Sequence, residues 1–199
     1  MQARCTHFQS QQSTVFKLSL PQTIHKRHIV KRFLFLAAVL VISACATQTH
    51  RPSAIAQLSP TKGNTTSGSV QFTQAGDKVL VKVDIKGLKP NAEHGFHVHE
   101  KGDCSSGDGM STGGHFNPSG TSHGAHGQGV HHAGDLPSLK ADANGAAKVT
   151  FESSTISIVG GISNVIGKGL IVHLDPEDYK TQPTGNAGPR LACAVINKS

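Results

Sequence analysis

The chain contains no tryptophan, one tyrosine and only 5% aromatic residues. It has no apolar run of about 18 residues, which excludes a bundle of membrane-spanning helices. Residues 1–44 hold no acidic residue and none of the 22 glycines. They do hold Arg4, Lys17, Lys26, Arg27, Lys31 and Arg32, so the formal charge of +7 belongs mostly to a leader. The rest of the chain is close to neutral, and a nucleic-acid partner loses its only support. Charge is too sparse at 16%, and Val and Ile are too frequent, for a disordered chain. A length of 199 residues suits one ordinary domain or two small ones.

Residues 1–44 read as a leader. Residues 26–32 are basic, and Phe33–Ile42 is an apolar run too short to span a bilayer. The following Ile42-Ser43-Ala44-Cys45 places two small residues before a cysteine and resembles a bacterial lipobox. That resemblance implies cleavage before Cys45 and its acylation. The result would be a lipoprotein anchored to an envelope membrane without crossing it. Ordinary cleavage near Ala44–Ala46 is the alternative, and it would release a soluble periplasmic protein. Residues 1–25 fit no part of a signal peptide and suggest an over-extended start, with initiation near Val30.

Four cysteines are present: Cys5, Cys45, Cys104 and Cys193. Cys5 leaves with the leader and Cys45 is the lipidation candidate. In an oxidising compartment the remaining Cys104 and Cys193 form a disulfide by default. Closing a loop of that size would stabilise the fold by roughly 4–5 kcal/mol on a chain-entropy estimate, an upper figure. Two buried free thiols are the alternative.

Residues 45–53 suit a polar tether, followed by one domain over 54–199. Val70 and Phe72 alternate with polar neighbours, and Val79, Val81, Val83 and Ile85 alternate along one apolar face. Further strands are expected at 94–99, 147–152, 169–174 and 191–196, with turns at Gly76-Asp77, 87–91 and Asn144-Gly145. No segment carries a helical period. The pattern predicts an all-β antiparallel sandwich or barrel. Residues 101–138 and 175–189 are long and Gly/Pro-rich without periodicity, as expected of functional loops.

Five of the 13 histidines fall in the first of these regions, and eight lie between positions 94 and 132. His97 and His99, two apart on a strand, point to one face, while Phe96 and Val98 point to the other. His115, His123, His132 and Asp135 follow at spacings that let a glycine-rich loop converge on one ion. Three nitrogens and one carboxylate suit tetrahedral zinc. A set made only of histidines, such as His97, His99 and His173, suits copper. His50, His94, His126 and His131 are expected to be ordinary hydrogen-bonding or solvated residues. Asp103 and Asp108 are expected in turns.

Gly95-Phe-His-Val-His99, His115-Phe-Asn-Pro118, His132-Ala-Gly-Asp-Leu136 and Gly185-Asn-Ala-Gly-Pro-Arg-Leu-Ala-Cys193 resemble the motifs of copper–zinc superoxide dismutases. The match covers roughly residues 54–198 and looks like the exported bacterial branch. The resemblance implies an eight-stranded antiparallel Greek-key barrel with two long functional loops. It implies copper on His97, His99, His115 and His173, and zinc on His115, His123, His132 and Asp135, with His115 bridging the two. It also implies the Cys104–Cys193 disulfide and an active-site guanidinium at Arg190.

The implied activity is dismutation of superoxide to oxygen and hydrogen peroxide, protecting the cell envelope. His115 would take up and release a proton during the copper cycle. A carboxylate linking the two metal sites is expected at Glu177 or Asp178. Pro183 stands where the better-known pattern has a lysine, which leaves Lys180 as a candidate for anion guidance. The exported branch contains both dimers and monomers, and no apolar stripe here decides for a homodimer. A metal-carrying lipoprotein without turnover and a purely structural envelope protein are the competing readings. Arg190 and the complete donor set argue against both.

Overall fold

The structure is a computed structural model that describes residues 50–199. The leader, Cys45 and most of the tether lie outside the described residues. The strands are β1 (Ser53–Pro60), β2 (Ser67–Ala75), β3 (Lys78–Lys86), β4 (Glu93–His94), β5 (Phe96–His99), β6 (Leu139–Lys140), β7 (Ala147–Ser153), β8 (Gly169–His173) and β9 (Arg190–Lys198). No α-helix occurs among the described residues, and one turn of 3₁₀ helix spans Met110–Thr112. Only Gly95 separates β4 from β5, so the pair behaves as one strand and the count becomes the expected eight.

Seven strands form one antiparallel sheet in the order β5-β8-β9-β1-β2-β3-β7. Its two ends meet. β4, the forerunner of edge strand β5, pairs with β6, which leads into edge strand β7. The ladder Glu93↔Lys140 and His94↔Leu139 therefore closes the sheet into a barrel. The step from β3 to β4 crosses to the other end of the strand order, as Greek-key topology requires.

Alternation explains the core. Along β3 every second residue is buried (Val79, Val81, Val83 and Ile85), and β2 contributes Val70 and Phe72. Phe72 and Phe96 are fully buried. Removing either ring would cost about 3–5 kcal/mol. β1 was not anticipated by pattern, because its inward residues Ala54 and Ala56 carry little apolar signal. It pairs with both β2 and β9 and sits centrally in the sheet.

Cys104 and Cys193 form a disulfide with Cα atoms 5.9 Å apart. It pins the start of the long 101–138 loop to β9, three residues beyond Arg190.

Candidate metal centre

All four residues of β5 are buried. Phe96 and Val98 join the hydrophobic core, while His97 and His99 turn the other way. β8 lies beside β5 and ends at His173, opposite Arg190 on β9, where the ladder shifts register. Two strands thus supply three imidazoles and place a guanidinium across from one of them.

The long loop is laid along the free edge of β5. Val98 N–H donates to Gly134 O at 2.9 Å, and Phe116 N–H donates to Val98 O at 2.8 Å. Isolated bridges set His97 beside Asp135 and His99 beside His115. A Cβ at Gly134 would collide with the Val98 carbonyl, which explains the glycine in His132-Ala-Gly-Asp135. The loop therefore borrows the strand's geometry to aim its own ligands.

Two donor sets result: His97, His99, His115 and His173, and His115, His123, His132 and Asp135. Within each, one donor atom per residue lies within 4.8 Å of the others, and every member is buried. His115 belongs to both. Its Nδ1 meets Asp135 Oδ1 at 2.8 Å, while its Nε2 has no hydrogen-bond partner. His123 Nδ1 and His132 Nδ1 stand 3.1 and 3.3 Å from the same carboxylate.

In the all-histidine set, one nitrogen of each strand imidazole is tied down. His99 Nδ1 donates to Gly113 O at 2.9 Å, and His173 Nδ1 donates to Gly188 O at 3.0 Å. His97 Nε2 meets Glu177 Oε2 at 3.0 Å. A backbone carbonyl can only accept, so His99 and His173 keep an unprotonated Nε2. Those atoms, with His97 Nδ1 and His115 Nε2, are buried and unpartnered. An unsatisfied buried group costs about 1–3 kcal/mol. Four such lone pairs in one place fit a soft cation accepting nitrogen donors. The three Nδ1 atoms around Asp135 fit a tetrahedral N₃O ion.

Electrostatics separates the sets. Burial pushes His99 well below the ordinary imidazole value, His115 down to about 4 and His173 down to about 3. Neighbouring imidazoles reinforce the fall in all three, and the Arg190 charge adds to it at His99 and His173. His123 goes the other way. Burial opposes its charge, but hydrogen bonds to Asp135 and Glu177 outweigh that and raise it to about 9. Burial would raise Asp135, yet His115, His123, His132 and the His132 N–H hold it far below the ordinary carboxylate range. Glu177 is likewise drawn down to about 2 against its burial by His123 and His97.

Glu177, not Asp178, is the carboxylate between the sets. Its Oε2 lies 3.0 Å from His97 Nε2 and 2.9 Å from His123 Nε2. Asp178 is exposed and instead caps its own turn through Lys180 and Thr181. Arg190 is half-buried, donating from Nη1 to Thr112 Oγ1 at 2.7 Å and to Gly109 O, and from Nη2 to Gly113 O at 2.8 Å. Among the described residues its Nε–H makes no hydrogen bond and Nη2 makes only the one to Gly113, leaving a second Nη2 hydrogen.

The remaining candidates fall into place. His94 is fully buried and bonds to His173 O at 2.9 Å, a partner 79 positions away rather than a local one. His126 and His131 are half-buried and hydrogen-bonded to backbone, so they are less solvated than expected. His50 and Lys180 are exposed. Asp103 and Asp108 cap turns at Ser105 N–H and Met110 N–H.

Sequence reasoning missed Gln182. Its side-chain amide accepts from His123 N–H at 2.9 Å and donates to His123 O at 3.0 Å. It also missed Ser138, which links Glu177 to Tyr179. Neither carries a motif that would mark it.

Fold and site together define a β-barrel metalloenzyme with two adjoining histidine-rich donor sets. The sequence profile described as copper/zinc superoxide dismutase (SODC) matches residues 66–196. A superoxide dismutase [Cu-Zn] of Paramecium bursaria Chlorella virus 1 is 47% identical over 135 residues, covering 65% of this chain and 71% of that protein. Superoxide dismutase [Cu-Zn] 2 of Aquifex aeolicus is 39% identical over 163 residues, covering 80% and 94%. The crystal structure of the clock protein EA4 superposes with a TM-score of 0.68 at 41% identity, over 75% of this chain and 96% of that one. The chain belongs to the copper/zinc superoxide dismutase family. It is an enzyme acting on superoxide, and copper and zinc are its metals.

Proposed function

We propose that His97, His99, His115 and His173 hold copper, that His115, His123, His132 and Asp135 hold zinc, and that His115 serves both ions. The observation that carries this is the convergence of four buried, unpartnered imidazole nitrogens beside a second set already gathered by a carboxylate.

Copper supplies one-electron chemistry in both directions, so one superoxide leaves as O₂ and the next, with two protons, as H₂O₂. The chain's residues do the rest. Arg190 holds the anion through Nε–H and the free Nη2 hydrogen, a charge-assisted contact. Its other donors are spent on the 109–113 loop, which fixes the direction of the fork. His115 holds and releases a proton at Nε2 while Nδ1 stays on the Asp135 side. Glu177 orients His97 and His123 together through one oxygen.

The leader supports export to a bacterial envelope, with Cys45 as the lipid attachment point, where the enzyme would remove superoxide. The test combines turnover with metal analysis. The metal-loaded protein should dismutate superoxide and stop when copper is chelated. His123→Ala should lose zinc and keep copper. Loss of copper alone from that variant would overturn the assignment.

A further inference from the structure

The connection between β7 and β8 forms a finger. Its base is set in the core by buried Ile156, Ile158 and Val165. Ser157 pairs with Asn164, Ser157 N–H donates to Ser163 O at 3.0 Å, and Val165 N–H donates to Ser157 O at 2.9 Å. Between these clamps the chain turns through Val159-Gly160-Gly161-Ile162. The tip is apolar and exposed, Val159 at 60% and Ile162 at 77%. Nothing lies within 4 Å of where a Cβ would stand on Gly160 or Gly161, so the tip projects into open space. A rigid finger that displays two large aliphatic side chains is a recognition element rather than a gap-filler.

Its place identifies the partner. Val159 lines an open cleft of about 450 Å³ with His50, Pro52, Ser53, Ile158 and Lys198. His50, where the described residues begin, therefore lies beside the finger. Cys45 lies only five positions before His50, a reach of at most about 18 Å. Lys198 lines that cleft and the exposed Arg51 lies in sequence between two of its lining residues, cations that an anionic headgroup layer would favour. Arg190 lies at the far end of β9, about 26 Å of strand away from Lys198.

We propose that the Val159–Ile162 tip dips into the bilayer interface beside the anchored chain and holds the barrel with its Arg190 end turned from the membrane. This rests on reading Cys45 as an acylated anchor. The tip adds a second contact at high local concentration, which turns a loose tether into an oriented dock.

The absence of tryptophan makes the test direct. Ile162→Trp and, as control, Val149→Trp at an exposed position of β7 are made in the full-length chain, expressed in bacteria and purified into phosphatidylethanolamine/phosphatidylglycerol vesicles. Mass spectrometry reports acylation of Cys45. The expected result is a blue-shifted Ile162→Trp emission, quenched by brominated acyl chains, with Val149→Trp unmoved and normal dismutation in both. Acylated protein with unshifted, unquenched Ile162→Trp emission overturns the dock and leaves the anchor standing. Unacylated Cys45 overturns the anchor and the dock with it. A blue shift that persists without lipid in Ile162→Trp/Cys45→Ser means that a second copy or the chain's own leader covers the tip, and overturns the membrane assignment.

Discussion

The two donor sets are built by different means. His97, His99 and His173 stand on paired strands, and backbone carbonyls or Glu177 fix each ring. Strand pairing brings them together, with Glu177 at His97 the one carboxylate among their fixing partners, and burial keeps His99, His115 and His173 neutral. His123 and His132 ride on a loop with no ladder of its own. There Asp135 does the gathering, contacting three imidazoles and the N–H groups of Gly124 and His132. Strand geometry can hold neutral ligands in register, whereas a loop requires a charge at its centre. His115 stands where the two constructions meet.

Removing that charge should have the largest effect. Asp135→Asn is expected to abolish zinc binding while copper is retained. The metal-free protein should lose about 3–5 kcal/mol, as when one partner of a buried pair is deleted. Metal analysis and denaturant melts check both, and a variant that keeps zinc would erase the distinction between the sets. Arg190→Ile should keep both metals yet lower turnover by about 10–100-fold, the equivalent of one charge-assisted contact. Unchanged kcat/KM would remove Arg190 from the site.

Glu177→Gln should weaken both metals together by about tenfold, because a single oxygen orients one imidazole of each set. Asp178→Asn should leave both affinities unchanged. Chelator competition separates the two variants.

The smallest effect is one proton. His123, at about 9, is charged in the metal-free protein, and zinc must displace that proton. Apparent zinc affinity should therefore climb about tenfold per pH unit and level off above pH 9. Copper binding should draw no proton from His99, His115 or His173 above about pH 5, since burial keeps those three neutral there. Calorimetry in buffers of different ionisation enthalpy would count the proton. The same charge bears on the fold. His123 is raised, so its stabilisation is complete below its unfolded value near 6.5 and is lost as pH rises through about 9. Glu177 is depressed, so its share is present above about 4.5 and is lost as pH falls through about 2.

Much of this was legible beforehand. The period-2 run of β3 announced a half-buried strand, and His97 and His99 announced a shared face by parity alone. β1 escaped because two of its inward residues are alanines, and burial by neighbours rather than side-chain size makes it central. Glu177 and Asp178 are indistinguishable by spacing. Only the turn of the 175–189 loop sends one into the site and leaves the other exposed. Gln182 reaches His123 across 59 positions, a contact no local pattern encodes.

The sequence by itself determined the strand parity, the ligand types and the pairing of Cys104 with Cys193. These follow from the alternation of a pleated chain and from the chemistry of imidazole, carboxylate and thiol. Which nitrogen each histidine offers, which carboxylate joins the two sets and where Arg190 points were decided by tertiary structure. Each depends on a partner far away in the chain, which closure of the barrel brings within hydrogen-bond distance.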